Sequence, residues 1–244
     1  MQGYCLVFPE IPIGRAVLES KVAPDIVGTA SERELVLRAL DRAEGSGARM
    51  VHLCLPNPSP STDFLTRQGF ALVRSYWDMM WRQDALSPAK IPDGFTVQSF
   101  RLSDAALLTE VQNSSFAGSW GFCPNTVEQI EYRSSMANTS HQGILILSHG
   151  VKAAGYCWTC VTPVEGAIRG IIAMIGVVPD YRGKGISRYI LAAGMEYLRS
   201  QNVADIRLQV DSTNTPGVRL YTSVGFKKVR EIQWFELGFE PGLR

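Results

Sequence analysis

The segment Val177-Val-Pro-Asp-Tyr-Arg-Gly-Lys-Gly-Ile-Ser187 decides the fold of this chain. An apolar run over 170–178 predicts a buried strand before the loop, and an amphipathic pattern over 187–199 predicts a helix after it. Glycines at such a junction let a ligand approach the backbone, and the free N–H groups at the start of a helix favour an anion. Arg182 and Lys184 add two positive charges. The loop Arg182-Gly183-Lys184-Gly185 therefore predicts a diphosphate-binding site, although the loop alone also fits a glycine-rich turn with solvated basic side chains.

Two other phosphate-binding motifs are excluded by the spacing of this loop. A P-loop requires Gly-x4-Gly-Lys-Ser/Thr, whereas Gly185 here follows Lys184. A dinucleotide-binding fingerprint requires a third glycine at the position that Arg188 occupies. Neither of these two phosphate-binding motifs therefore accounts for the loop.

The same pattern occurs a second time, nearer the N-terminus. Residues 22–28 match residues 177–183 at an offset of 155, including the Pro-Asp pair and the last glycine. Further aligned blocks are the helical stripes 35–40 and 190–195, the strands 51–55 and 206–210, and Gly69-Phe70 with Gly225-Phe226. Because several blocks align in one order, they indicate an internal repeat.

A linker separates the two copies. Residues 86–94 contain two prolines and a glycine, which are typical of a loop. We predict a truncated, degenerate half-domain over 1–85, the linker over 86–94 and a catalytic domain over 95–244. The first copy lacks the opening strands and helices of the second. Either it is a degenerate half-domain, or the chain begins downstream of a longer natural start.

The second copy predicts an α/β (α+β) fold. Its central sheet is expected to be mixed and mostly antiparallel, with helices flanking it, and the first copy makes the fold a partial duplication. Predicted strands cover 95–101, 143–148, 151–161, 170–178, 205–210 and 226–237, and predicted helices cover 104–112, 126–136, 187–199 and 216–224. Ser103 is expected to cap the first of these helices, and Asn125 and Glu128 are a possible capping pair for the second.

Taken together, the motifs resemble those of the GNAT superfamily of acyl-CoA-dependent N-acyltransferases. They are Val-x-Pro-Asp-Tyr-Arg-Gly-Lys-Gly, a helix, a strand, Asp211-Ser-Thr-Asn214 and Leu220-Tyr221-x3-Gly225-Phe226. The resemblance covers residues 95–238 and, in part, 1–82. The tandem arrangement and the segment Phe116-Ala-Gly-Ser-Trp120-Gly-Phe122 are similar to the mycothiol-synthase-like branch of tandem GNAT proteins. The resemblance implies a GNAT fold, acetyl-CoA as co-substrate without a metal, and transfer of an acetyl group to an amine.

The resemblance also implies a role for individual residues. Tyr221 protonates the departing thiolate, and Asn214 contacts the cofactor arm, although a helix cap would also explain Asn214 and sheet packing would also explain Tyr221. Phe116, Trp120 and Phe122 line the acceptor pocket, with plain core packing as the alternative. The cofactor-binding residues are Ile175, Gly176, Val177, Arg182, Gly183, Lys184, Gly185, Ile186, Ser187, Arg188 and Asn214.

Two positions depart from the family pattern. Ser187 stands where glycine or alanine is usual, and Gln209 stands where some members carry a catalytic glutamate. Glutamine cannot accept a proton, so the general base stays open. Glu128, Glu131, Asp211 or a chain of water molecules are candidates, and a bound amine could also arrive neutral.

The first copy has lost the residues to which the chemistry is assigned. Val27, Thr29 and Ala30 replace Arg182, Lys184 and Gly185, and Leu65 replaces Tyr221. Without the cations and the phenol, the first copy is expected to be inactive and structural.

Composition limits the other classes of function. Lys plus Arg number 24 and Asp plus Glu number 23, a balance that argues against nucleic-acid or anionic-membrane partners. Cys157-x-x-Cys160 lies in a predicted strand, where residues three apart face opposite sides, so no metal site is expected. The N-terminus has no signal-peptide pattern and the apolar runs are too short to span a bilayer, so a cytoplasmic protein is expected. The resemblance implies a small-molecule or peptide amine as the acceptor, and a monomer or homodimer is expected. A non-catalytic acyl-CoA-binding or sensor module is the main alternative, and an interaction scaffold is a third.

Overall fold

The computed structural model describes residues 3–82, 86, 89–164 and 166–239. The strands are β1 (Gly3–Glu10), β2 (Arg15–Val22), β3 (Met50–Asn57), β4 (Ala71–Trp81), β5 (Phe95–Ser99), β6 (Thr139–His149), β7 (Lys152–Val164), β8 (Ala167–Val177), β9 (Asp205–Asp211) and β10 (Lys227–Gly238). The helices are α1 (Ala30–Gly45), α2 (Thr62–Arg67), α3 (Ala105–Phe116), α4 (Val127–Ser134), α5 (Ile186–Ser200) and α6 (Thr215–Val224). Both copies of the repeat run through strand, helix, strand, helix and strand in the same order.

The chain forms two compact units that interleave along the sequence. Unit 1 comprises Met1–Asp78, Asp211–Thr213 and Arg230–Arg244, and unit 2 comprises Met79–Val210 and Asn214–Val229. This division follows packing, whereas the boundaries predicted at 1–85, 86–94 and 95–244 follow the sequence repeat. Those boundaries remain a prediction about the copies.

In unit 1 the strands lie in the order β1-β2-β3-β10-β4. Strand β2 runs parallel to β3, while β1 and β10 pair antiparallel with β2 and β3. The apolar face of α1, which includes Val36 and Leu40, packs with Leu18 and Leu53 of the strands in one buried cluster. The predicted helical stripe of the first copy is therefore a core-facing stripe.

In unit 2 the strands lie in the order β9-β8-β7-β6-β5. Only β8 and β9 are parallel among these pairs; β5–β6, β6–β7 and β7–β8 are antiparallel. Leu108 and Ile130 of α3 and α4 pack with Tyr156 and Trp158 of β7, and α5 contacts β6, β7 and β8. The predicted mixed, mostly antiparallel sheet with flanking helices is confirmed.

Two predicted helix starts are wrong by a short distance. Ser103 lies inside a 3-10 turn, and the Asp104 carboxylate instead accepts the backbone N–H of Arg101. Helix α4 begins one residue later than predicted, because Thr126 and Gln129 exchange the two hydrogen bonds of a capping box. Local capping sequences that overlap compete for the same helix start, and the pattern alone did not choose between them. Across the described ranges, no helix combines the length and the apolar character that crossing a membrane requires.

Candidate active site

Strand β8 has one edge that is open over most of its C-terminal half. It pairs in parallel with β9 only from Arg169 to Ile171, opposite residues 205–207, yet it continues to Val177 in contact with β7. Ala173 forms a bulge, because Trp158 lies opposite Met174 and Thr159 opposite Ile172. Beyond Ile171, the last residue that pairs with β9, the backbone of β8 can offer its outward N–H and C=O groups to a ligand. The predicted cofactor residues Ile175, Gly176 and Val177 lie on this stretch.

An ion-pair cluster lies where β8 and β9 remain paired. The nearly buried Asp205 carboxylate accepts two hydrogen bonds from Arg169, at 2.7 and 3.2 Å, and lies 3.4 Å from the Arg82 guanidinium. Burial opposes ionisation of Asp205, but the hydrogen bond from Arg169 and the charges of Arg169, Arg207 and Arg82 outweigh it and lower the pKa. The cluster fixes the closed end of the cleft between the two strands.

The predicted diphosphate loop has the geometry of an anion site. A 3-10 turn over Pro179–Tyr181 ends β8, and Gly183 and Gly185 then take positive φ angles of 75° and 78°. Within the described chain, the N–H groups of residues 183–187 donate to no other group of the protein. No atom lies within 4 Å of the position that a Cβ of either glycine would take. The glycines therefore serve the backbone conformation, and the start of α5 is open to an anion.

The side chains of the loop divide their tasks. The Arg182 guanidinium donates to the carbonyl oxygens of Val177 and Ser115, at 3.1 and 2.8 Å. Arg188 donates to the Ser223 hydroxyl at 2.6 Å, and the Lys184 ammonium lies 5.0 Å from the centre of the Tyr181 ring. Ile186 is buried, so only its backbone faces the loop. Lys184 and Arg188 are exposed cations beside the open N–H groups, whereas Arg182 is directed at two carbonyls.

Helix α6 carries the other two predicted residues. The Asn214 side chain accepts the N–H of Gly217 at 3.0 Å, so the capping role considered for it is present. Tyr221 is only 8% exposed and packs edge-on against Phe226. Burial raises the pKa of the Tyr221 phenol well above its ordinary value, and Cys157 adds to the shift. The phenol is therefore protonated throughout the neutral range.

Cys157 lies in the core beneath α5. A Cβ on Gly194 would come within 2.5 Å of its sulfur, and burial raises the pKa of the thiol to about 12. Nucleophilic cysteines require a thiolate, which this setting disfavours. In the described ranges, no three His, Cys, Asp or Glu side chains gather in a way that could hold a metal ion.

The end of α3 approaches the open strand through a glycine. A Cβ on Gly176 would lie 2.7 Å from the Ser115 Cβ and 2.9 Å from the Tyr156 ring, so only glycine allows this approach. Phe116 follows Ser115 and stacks on Phe122, with ring centres 5.6 Å apart. The half-buried Trp120 lies in the same turn. Two of the three predicted acceptor-pocket aromatics therefore stack at the end of α3.

Three buried polar residues of this region were missed by the sequence analysis. Gln112, Ser115 and Tyr156 each bury an oxygen that has no hydrogen-bond partner within the described residues. The Gln112 amide donates to the Met174 sulfur at 3.1 Å. Gln112 and Ser115 follow Leu108 on the buried stripe of α3, and polar residues on such a stripe are the signal that could have identified them. Unpartnered buried oxygens indicate places where a ligand or a water molecule completes the hydrogen bonding.

The candidate bases considered from the sequence are not similarly buried. Gln209 is exposed, as are Glu128 and Glu131 on α4. A hydrogen bond from Thr126 lowers the pKa of Glu128. Asp211 accepts the N–H and hydroxyl of Thr213, both at 2.8 Å, and lies 3.6 Å from Arg74. The choice of base among these residues stays open.

In the corresponding loop of the first copy, a carboxylate of the protein itself accepts the glycine N–H. Gly28 has a φ of 76°, like Gly183, but its N–H donates to the Glu32 carboxylate at 2.6 Å. The Ser61 hydroxyl donates to the same oxygen at 2.6 Å, and Glu32 is 6% exposed. A Cβ on Gly28 would lie 3.1 Å from Pro60. At the repeat offset of 155, Glu32 is the counterpart of Ser187.

Comparison with known proteins places this geometry among acetyltransferases. Residues 106–226 match the acetyltransferase (GNAT) family. A mycothiol acetyltransferase from Tsukamurella paurometabola is 30% identical over 232 residues, covering 88% of this chain and 76% of that protein. A mycothiol acetyltransferase from Acidothermus cellulolyticus is 28% identical over 259 residues, covering 98% of this chain and 76% of that protein.

Solved structures give the same fold over the chain's length. A GCN5-related N-acetyltransferase from Sphaerobacter thermophilus superposes with a TM-score of 0.77 at 20% identity, covering 99% of this chain and 78% of that one. A tandem GNAT protein from the clavulanic acid biosynthesis pathway superposes with a TM-score of 0.72 at 16% identity, covering 99% and 80%. The predicted GNAT fold is confirmed, the tandem GNAT neighbour supports the predicted tandem arrangement, and the relatives confirm the enzymatic interpretation with acetyl-CoA as co-substrate.

Proposed function

Because this chain belongs to the GNAT family of acetyltransferases, we propose that its second copy transfers the acetyl group directly from acetyl-CoA to an amine in a ternary complex. One observation carries the proposal: the open N–H groups of residues 183–187 follow directly on the open edge of β8. A diphosphate at the loop would allow its attached arm to continue along that edge.

The loop and the strand have separate tasks in this mechanism. The N–H groups of residues 183–187 bind the diphosphate, with Lys184 and Arg188 as neighbouring cations. The pantetheine arm pairs with β8 near Ile175–Val177. As the amine attacks the thioester, negative charge develops on the carbonyl oxygen, and a backbone N–H of β8 stabilises it.

Tyr221 is assigned to the leaving group. The departing thiolate has the affinity for protons of an ordinary thiol, near pKa ~8.5, and a protonated phenol can donate to it. Because burial raises the pKa of Tyr221, the phenol acts first as a hydrogen-bond donor that strengthens as the thiolate forms. The low thiolate content of Cys157 favours this direct route over an acyl-enzyme.

The acceptor is proposed to be a small-molecule amine with an apolar portion. Phe116 and Phe122 offer an aromatic wall, and Gln112 and Ser115 offer unpartnered oxygens beside it. The relatives named mycothiol acetyltransferase also favour a small molecule over a peptide. With Gln209 unable to act as a base, the amine is expected to bind neutral or to lose its proton to water.

The test is a CoA-release assay with a panel of amines. It includes simple amines, peptides and the acceptor of the mycothiol acetyltransferases. We expect turnover only with small-molecule amines, and no acetylated protein by mass spectrometry when acetyl-CoA is present without an acceptor. An acetylated cysteine formed on the reaction pathway would contradict the ternary-complex mechanism and indicate an acyl-enzyme. Turnover of peptides alone would contradict the proposal that the acceptor is a small molecule.

A further inference from the structure

We infer that Arg182 is a positioning residue that holds the end of α3 against β8, and that it governs acceptor use more than affinity for the cofactor phosphates. The inference deepens the proposed function and rests on it. It also changes the task predicted for Arg182 from the sequence, where its charge was assigned to the diphosphate.

The geometry joins two elements that are distant in sequence. Arg182 Nη2 donates to the carbonyl oxygen of Ser115 at 2.8 Å, and Nε donates to that of Val177 at 3.1 Å. Ser115 lies in the last turn of α3, where carbonyls lack partners within the helix, and Val177 is the last residue of β8. A cation is also favoured at the C-terminal end of a helix dipole. The planar guanidinium thus connects two chain ends that would otherwise leave carbonyls unpaired.

The position of α3 matters for both substrates. Ser115 packs on Gly176, within the stretch of β8 proposed to bind the pantetheine arm and polarise the thioester. Phe116 is the next residue and stacks on Phe122. If the connection through Arg182 is lost, the end of α3 can move away from β8. The aromatic wall would then move relative to the thioester, and small displacements of this kind strongly reduce the rate of transfer.

The binding of the diphosphate does not require this connection. The N–H groups of residues 183–187 lie C-terminal to Arg182, and their conformation is fixed by the two glycines with positive φ. Lys184 is the matched control, because it is an exposed cation of the same loop that makes no hydrogen bond to a carbonyl within the described residues. Replacing each residue with glutamine should therefore change different properties: acceptor kinetics for Arg182 and CoA affinity for Lys184.

The experiment compares Arg182→Gln with Lys184→Gln. CoA affinity is measured by calorimetry at low and high salt, acceptor KM and kcat are measured with the best amine of the panel, and hydrogen exchange is followed over residues 116–122. For Arg182→Gln we expect a change in CoA Kd of about threefold or less, a loss of kcat/KM for the acceptor of about 30-fold or more, and faster exchange. For Lys184→Gln we expect a CoA Kd raised about tenfold, a weaker salt dependence, and unchanged exchange.

Two results would overturn the inference. One is a tenfold or larger rise in CoA Kd for Arg182→Gln with reduced salt dependence, which is the behaviour of a phosphate ligand. The other is unchanged exchange over 116–122 with unchanged acceptor kinetics. Arg182→Lys keeps the positive charge but loses the planar guanidinium that donates to two carbonyls. Its hydrogen-exchange rate over residues 116–122 should lie between those of wild type and Arg182→Gln. This variant also provides the test if Arg182→Gln does not fold. Absence of turnover in the wild type would contradict the proposed function, while the affinity and exchange measurements would still test Arg182.

Discussion

The two copies contain the same glycine turn, but they differ in what meets its N–H groups. Gly28 and Gly183 have almost the same φ, 76° and 75°. In the first copy the Glu32 carboxylate accepts the N–H of Gly28, and the Ser61 hydroxyl closes over it. In the second copy Ser187 takes the place of Glu32, and the space around Gly183 is open. A backbone that favours an anion can thus persist without a ligand when a side chain supplies the negative charge.

The copies also share the divergence of their parallel strands. Strands β2 and β3 pair in parallel only over Arg15–Leu18, as β8 and β9 do over Arg169–Ile171. Within the part that both copies contain, they differ at the side chains that the second copy is proposed to use, while the first copy also lacks counterparts of α3 and α4. Leu65, the counterpart of Tyr221, is buried in the apolar core of unit 1. Because a shared fold does not by itself confer activity, we expect only the second copy, which carries Tyr221 and the cations, to be active.

The largest expected effect tests whether the phenol distinguishes the copies. Tyr221→Phe keeps the ring packed against Phe226 and removes only the hydroxyl, so CoA affinity should stay nearly unchanged. We expect kcat to fall by roughly 10²–10⁴, the usual range for a positioned proton donor. Tyr197→Phe on α5 is the control and should retain the wild-type kcat. Wild-type turnover by Tyr221→Phe would remove the tyrosine from the mechanism.

A second test concerns the closed end of the cleft. Asp205 corresponds to the uncharged Met50 of the first copy, so its ion-pair cluster belongs to the second copy alone. Asp205→Asn should lower the free energy of unfolding by about 2 kcal/mol at neutral pH, since it weakens hydrogen bonds to charged groups.

The same carboxylate predicts a pH dependence. The pKa of Asp205 is lowered in the folded state, so its contribution is complete above the unfolded-state value and is lost as the pH falls through the folded-state value. The difference in unfolding free energy between wild type and Asp205→Asn should therefore shrink in acid. Urea unfolding at neutral and acidic pH measures it, and a difference that stays constant would contradict this role.

The smallest expected effect tests the carboxylate of the first copy. Glu32→Ala leaves the Gly28 N–H and the Ser61 hydroxyl without their acceptor, which should cost about 1–2 kcal/mol of unfolding free energy. Glu34→Ala is the matched control on the same helix, because Glu34 forms an exposed pair with Arg38 and should change stability by about 0.5 kcal/mol or less. Equal melting temperatures for the two variants would mean that Glu32 contributes nothing to holding the loop.

Much of this comparison was predictable from the sequence. Glycine positions, apolar stripes and strand alternation are local signals, and they gave the loop, helix α5 and the order of the elements. The repeat further predicted that the first copy lacks the cations and the phenol. Asn214 was predicted with two possible roles, and the structure shows the helix cap.

The contacts that were missed depend on partners distant in the chain. The carbonyl of Ser115, which Arg182 contacts, lies in another element, so the charge of Arg182 alone suggested a phosphate ligand. From the sequence, Glu32 is an ordinary acidic residue in the first turn of α1. Only the structure shows that the distant Ser61 donates a hydrogen bond to its carboxylate. In the sequence Tyr156 fits the pattern of the apolar residues of a strand. The structure shows that its hydroxyl is buried and has no hydrogen-bond partner among the described residues.

The most direct test of the account is a calorimetric titration with CoA of wild type, Ser187→Glu and Glu32→Ser. Ser187→Glu gives the second copy the carboxylate of the first, and Glu32→Ser makes the reverse exchange. We expect one site per chain in the wild type, binding at least about 100-fold weaker in Ser187→Glu, and a single unchanged site in Glu32→Ser, because the first copy still lacks the cations. Two equivalent sites in the wild type, or wild-type affinity in Ser187→Glu, would contradict the claim that the second loop alone binds the cofactor.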